Sequence, residues 1–332
     1  MTTFPNPYGV DAALDGIQAP APGVANWSEN INLAVHSGQG EMGVYSHLSR
    51  MVEDPQMWEG TVAVYFPAGE LLVSRTFGRA VSADQASSGN LTWTVHEPLQ
   101  KWSLHFDGMA RPISRAEATA GFVGDGPTEI VSMDLSLEAV GPVWSLEHAL
   151  GVPGKQQSFA SLHLQQAVHV RGEVRTRRRS FGIDHVAVRD HSAGARDYAG
   201  LLGDHWTTCP LPDGRILSAL NLWQTVGAGS ISTGFLADGN SLHPISHITV
   251  DRLASAGGAP EHLGMDFDGP DGRTHLDITL QHSMVFTLTE PIGMPMGTCH
   301  SGLITVQGPA RYRSNGQETL GWLERCDRLA SA

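Results

Sequence analysis

The residues best suited to proton chemistry crowd into residues 181–198, FGIDHVAVRDHSAGARDY. On a strand, Asp184, Val186, Val188 and Asp190 share one face, while Phe181, Ile183, His185, Ala187 and Arg189 share the other. Arg189, Asp190, His191, Arg196 and Asp197 then follow within nine positions. An aspartate beside an arginine is held ionised, whereas a desolvated aspartate without a partner keeps its proton and can act as an acid. Two readings stay open at this point. In one, Asp190 is an acid oriented by Arg189 and His191; in the other, the cluster is a structural Arg–Asp clamp closing a strand into a loop.

Three further segments carry candidates. In SLHLQQAVHV (161–170), His163, Gln165, Ala167 and His169 share a face opposite Leu162, Leu164, Val168 and Val170. Turned into a barrel interior, the polar face would offer acid–base and hydrogen-bonding groups to a ligand; turned to water, it is ordinary surface. His163 and His169 are six residues apart, which on a strand is about 20 Å and too far for one metal ion. In AVHSGQGEMGVYSHLSR (34–50), His36, Glu41, Tyr45 and His47 flank Gly-rich bends, so Glu41 and His36 become candidate bases and Tyr45 a candidate ligand contact. In KWSLHFDG (101–108), Trp102, Leu104 and Phe106 alternate with Ser103, His105 and Asp107. Trp102 reads as core or as a ligand wall, His105 as a polar contact, and Trp223 as a second apolar wall.

The elements that must position these residues are strands. Period-two alternation recurs along the chain, most clearly in EIVSMDLSLEA (129–139) and THLDITLQHS (274–283). Turn sequences separate such runs: PAGE (67–70), SSGN (87–90), LPDG (211–214), ADGN (237–240) and DGPDG (268–272). The last of these predicts a hairpin. Helical periodicity is confined to residues 196–202 and the last dozen residues. The expectation is a mostly β chain with less than about a fifth helix, built as sandwiches or barrels.

DLSLEAVGPVWSL (134–146) echoes DITLQHSMVFTL (277–288), and VRGEVRTR (170–177) echoes VQGPARYR (306–313). A duplicated β-domain accounts for both, with an irregular arm at 1–28, a first domain at 29–200 and a second at 201–332.

Composition sets the limits. With 332 residues the chain can bury a core without disulfides or a structural metal. Its net charge of −13 argues against a nucleic-acid footprint. No apolar run is long enough to span a membrane, and the N-terminal residues do not read as a secretory signal. Cys209, Cys299 and Cys326 are widely separated, which fits a reducing cytoplasm. No P-loop, dinucleotide fingerprint, GxSxG, HExxH or EF-hand loop is present, so neither cofactor nor metal is expected.

RDHSAGARDY (189–198) resembles the RDHSWGxRD-like motif of the carotenoid 1,2-hydratase/AttH-like family. The likeness extends to WSLHFDG (102–108), DLSLEAVGPVW (134–144) and HLQQAVHVRGEV (163–174). Arg189, Asp190, His191, Ser192, Gly194, Arg196 and Asp197 match the motif. Ala193 stands where that family usually has Trp, and Ala195 where Pro or a similar residue is common, departures that imply either an enlarged cavity beside the motif or a specialised site. The resemblance implies two tandem lipocalin-like (calycin) antiparallel β-domains.

Fold alone does not name a reaction. The expected function is a cofactor-independent lyase, hydratase, dehydratase or isomerase working by acid–base chemistry. Its substrate would be a hydrophobic hydroxylated or unsaturated molecule: a terpenoid, polyketide, sterol or aromatic compound. Asp190 would be the acid, tuned by Arg189 and His191, with His36, Glu41 and His163 across the cavity as base. Tyr45, Trp102, His105, Gln165 and Trp223 would contact substrate. The alternatives are a lipocalin-like carrier or sensor of a lipophilic ligand, and a carbohydrate-active β-sandwich with an exposed tryptophan strip. The partner is a lipophilic small molecule, with a homodimer as the candidate assembly.

Overall fold

The structure is a computed structural model describing residues 4–82, 85–119, 126–152, 160–196, 198–224, 230–255, 261–288 and 302–328. Asp197 and Cys299 lie outside the described residues.

The first ten strands are β1 (Trp27–His36), β2 (Gly43–Arg50), β3 (Met57–Phe66), β4 (Glu70–Arg79), β5 (Ala86–Ser88), β6 (Leu91–Glu97), β7 (Lys101–Ser114), β8 (Glu129–Ser145), β9 (Leu162–Thr176) and β10 (Ser180–Ala195). They form one antiparallel sheet in which each strand pairs with the next in sequence except at the β4–β5 step, β1 pairs with β10, and β4 pairs with β7. The ring therefore closes through β4 and the second half of β7, while the β5–β6 hairpin pairs with the first half of β7 and adds Ala86, Leu91 and Trp93 to the same core, and closure removes the exposed sheet edges.

The remaining strands are β11 (Leu201–Pro210), β12 (Ile216–Gln224), β13 (Ser230–Asp238), β14 (Ser241–Pro244), β15 (Ser246–Val250), β16 (Glu261–Gly269), β17 (Gly272–Leu280), β18 (Met284–Leu288), β19 (Leu303–Ser314) and β20 (Gln317–Asp327). β11 pairs with both β12 and β20. β14 pairs with β13, β15 pairs with β16, and only Ile245 separates them. A single bent run thus bridges the two ends of the second sheet. The echoed segments fall at matching places: β8 in one ring and β17 with β18 in the other both pair with the following long strand, β9 or β19.

Alternation explains both cores. Ile31, Leu33 and Val35 of β1 point into the first barrel with Trp58, Trp102 and Phe106. Leu217, Leu276, Val306 and Leu323 fill the second. The hairpin at residues 268–272 is present, with Gly269 opposite Gly272 and Gly272 at φ +100°, which favours glycine. The helices expected at 196–202 and at the C-terminus are absent from the described residues. The tail is strand β20, and residues 199–200 turn into β11. In β20, Leu323 faces the second core while Trp322 packs on the first barrel, so both faces are apolar and the alternation is masked.

The barrels pack outer face against outer face. Trp144, Ala167 and Val188 of the first meet Trp206, Leu220 and Phe235 of the second. Ala34, Tyr45 and Tyr65 meet Met284, Phe286 and Trp322.

Candidate functional site

Along β10, residues alternate between two destinations. Arg189 and His191 point into the first barrel. Arg189 forms an ion pair with Asp15 at 2.8 Å, donates to Gln166 at 2.9 Å, and lies 4.1 Å over the Trp102 ring. Asp15 also accepts from the backbone N–H of Leu99 and from Trp102 Nε1. His191 bonds Glu29, whose carboxylate accepts from the Gln18 backbone N–H. These residues thus tie the N-terminal segment into the mouth of the barrel.

Asp190 and Ser192 point the other way, into a cavity of about 160 Å³ between the barrels. Register brings their companions. Asp190 lies opposite Gln165 and Asn32, and Ser192 lies opposite His163 and Asn30. Asn32 lies opposite His47 on β2. Four consecutive strands of one ring, β9, β10, β1 and β2, therefore present a polar wall, and Tyr45 of β2 and Glu59 of β3 complete it. The second barrel supplies Trp206, Leu220, Leu222, Phe286 and Leu288, with Asp204 and Glu324 among them.

His163 Nε2 donates to Asp190 Oδ2 at 2.5 Å, and Gln165 Nε2 donates to the same oxygen at 3.0 Å. Gln165 Oε1 accepts from Ser218 at 2.8 Å, and Ser218 accepts from Trp206 Nε1 at 3.1 Å. A hydrogen-bond chain thus runs from the second barrel to Asp190 and fixes its orientation. Burial pushes the Asp190 carboxyl up, but His163 and Gln165 outweigh it and hold the group below its usual range. Burial pushes His163 down, but Asp190 outweighs it and holds the imidazole above its ordinary value. The two shifts favour a proton held between the imidazole and the carboxylate.

His47 is the opposite case: burial, and then Arg196, press it to about 4. The Asn30 amide, oriented to donate to His47 at 3.2 Å and Ser49 at 2.8 Å, accepts from Arg196. Arg196 also donates to the Ser192 carbonyl and hydroxyl.

On the facing wall, burial raises Asp204 to about 7, with the Cys326 thiol opposing and Asp327 adding to the rise. Glu324 is pushed well above the usual carboxylate range by burial, and further by Asp204 and Asp190.

Of the residues singled out in the sequence, Asp190, His163, Gln165 and Tyr45 meet in this cavity, with His47, Ser192 and Arg196 beside them. Glu41, His36, Trp102, His105 and Trp223 do not. Glu41 accepts a backbone bond from Ala68 at the rim. His36 bonds Gln281 across the seam between the barrels. Trp102 is core, and His105 is an exposed partner of Asp134. Trp223 lies half-buried beside Arg252, and Trp206 takes the cavity position instead. Ala193 borders a separate cavity of about 330 Å³ with Val10, Trp27 and Leu164, so the small residue there does not enlarge the Asp190 site. Sequence reading missed Asp204 and Glu324. The signal was available as acidic residues at period-two spacing from apolar ones, Asp204 with Trp206 and Glu324 with Trp322 and Cys326.

Among solved structures the chain is similar to AttH from Nitrosomonas europaea, at 13% identity and TM-score 0.57, covering 95% of this chain and 100% of that one. It is similar to kievitone hydratase from Nectria haematococca, at 12% identity and TM-score 0.56, covering 98% and 95%. CghA determined with Sch210972 matches at 10% identity and TM-score 0.54, covering 98% of each chain. At such identity the likeness is one of fold, which is AttH-like. No curated protein matches the sequence. A family model matches residues 11–328, and the chain belongs to that family, described as a domain of unknown function, DUF7064.

Proposed function

We propose that the protein is a cofactor-independent lyase, hydratase or isomerase that adds or removes water, or moves a double bond, in a hydrophobic hydroxylated or unsaturated small molecule. The observation that carries this reading is the His163–Asp190 pair, oriented by Gln165, in a cavity whose other wall is largely apolar. A desolvated pair with one transferable proton is suited to protonating a hydroxyl or a C=C bond. Trp206, Leu220, Leu222 and Phe286 exclude water and seat an apolar body. Arg189 and His191 act through the fold, by holding β10 and the N-terminal segment in place. The cavity, at about 160 Å³, is smaller than the ~300–1,000 Å³ of most ligand sites. It therefore takes a compact molecule, or the reacting end of a larger one. We read residues 29–200 and 201–332 as the two domains and the reaction site as their shared face. That a hydratase, and a protein crystallised with Sch210972, have this fold supports the reading.

The test is incubation with a panel of hydroxylated and unsaturated terpenoids, polyketides, sterols and phenolics in H₂O and D₂O, followed by mass spectrometry. The expected result is gain or loss of one water, or uptake of deuterium, by the wild type and not by Asp190→Asn. Native mass spectra showing bound panel compounds that are never altered would favour the carrier. Neither binding nor change would refute both.

A further inference from the structure

We infer that the second barrel supplies the other half of the proton chemistry: Asp204 and Glu324 form a carboxyl pair that shares one proton and accepts the proton leaving the substrate carbon, across the cavity from His163 and Asp190. The inference rests on the acid–base reading above and adds to it a base and a direction.

The geometry is that of a built site. β11 and β20 are paired, with Asp204 opposite Cys326 and Trp206 opposite Glu324. Asp204 and Glu324 are therefore diagonal neighbours on one face of two adjacent strands, and diagonal neighbours are within reach of long side chains. Both line the cavity that Asp190 and His163 line from the first barrel. Their surroundings are Trp206, Leu220, Leu222 and Cys326. The titratable and charged groups around them are Cys326 and Asp327 on β20, Asp190 on β10, His163 on β9, Tyr45 and His47 on β2, Glu59 on β3, and Arg196 and Tyr198. Arg325, the nearest cation on β20, turns to the opposite face and bonds Glu261. Two carboxyls in such a setting cannot both ionise, so they hold one proton between them and can take up one more. The upward shifts of both groups agree with this.

The step balances. The His163–Asp190 pair gives its proton to the substrate oxygen as the C–O bond breaks and water leaves. The carboxyl pair takes the proton from the neighbouring C–H bond, whose electrons become the new C=C bond. Hydration is the reverse. One wall loses a proton and the other gains one, and a single proton exchanged through solvent restores the start. Because the groups sit on opposite walls, hydrogen and hydroxyl leave or join opposite faces of the substrate.

The test is carboxyl-carbon NMR of the whole chain, titrated in wild type, Asp204→Asn and Glu324→Gln. We expect one carboxyl still protonated at neutral pH, absent from Glu324→Gln, and one titrating near 7, absent from Asp204→Asn. A spectrum in which every Asp and Glu titrates in the ordinary acidic range overturns the inference whatever the panel assay shows. With any panel alcohol that the wild type dehydrates, Asp204→Asn should lose about 10²–10⁴-fold in rate at unchanged melting temperature. A fully active Asp204→Asn beside an inactive Asp190→Asn overturns the inference and leaves the preceding reading standing. An active Asp190→Asn defeats that reading instead.

Discussion

Replacing Asp15 with alanine separates the two roles of the Arg189–His191 stretch. Asp15 and Arg189 are both buried, with side-chain exposures of 1% and 2%. Breaking such a pair strands the arginine, at a cost of about 3–5 kcal/mol. The same carboxylate accepts from Leu99 N–H and Trp102 Nε1–H, and each donor left without an acceptor costs about 1–3 kcal/mol. The three losses share one site and do not add fully, so the total expected is about 5 kcal/mol. In a chain of this size that lowers Tm by on the order of 10 °C. The assay is calorimetric or fluorescence melting of wild type and Asp15→Ala, with turnover measured per folded molecule at a temperature where both are folded. Stability should fall and turnover should not. Converting the pair to Asp15→Ala/Arg189→Leu should recover part of the loss, because no charge is then stranded. A variant that melts like wild type but no longer turns over would show that Arg189 serves the chemistry directly, and would refute the assignment of its face of β10 to anchoring.

Acid sensitivity follows from the buried histidines. His36 and His47 are pressed to about 4, and His205 to about 3, chiefly by burial. Their folded values lie below the unfolded 6.5, so the stability they contribute is present above pH 6.5 and is lost as pH falls toward about 4. Each contributes on the order of 3 kcal/mol to that slope. Melting followed between these limits should show a steep decline, flattened in His205→Asn; a flat profile contradicts it. Gln165→Leu removes the donor to Asp190 and the acceptor for Ser218, and should slow turnover about tenfold while leaving the barrels assembled by solution scattering. Undiminished turnover would mean that the hydrogen-bond chain does not orient the site.

Period two was legible wherever one face meets water, as in Val131, Met133, Leu135 and Leu137 against Ser132, Asp134, Ser136 and Glu138 on β8. It was lost where the outer face is covered by the other barrel. The last dozen residues read as a helix because Trp322 and Leu323 are adjacent and both buried, one in the seam and one in the core. The same covering explains the site. Facing outward from its own barrel, the row of His163 and Gln165 could be assigned to a barrel interior or to solvent, and lies in neither, with Asp190 beside it. Which residues face it was not readable, because no short-range spacing links β10 to β11 or β20. Tyr45 was placed by its strand, whereas Glu41, four residues earlier, lies outside β2 at the rim. Trp223 and Trp206 were equivalent as sequence, and only the register of β11 against β12 sends Trp206 to the cavity.

The most direct test of the account is turnover and melting temperature of Asp190→Asn, measured on one preparation with a substrate found in the panel. The change keeps the shape and most hydrogen bonds and removes the ionisable group that holds the His163 proton. The account predicts a rate lower by about 10²–10⁴-fold in a protein that still folds cooperatively. A variant that is destabilised yet retains full turnover per folded molecule would contradict it, and would make the His163–Asp190 pair a structural brace between β9 and β10 of the first barrel.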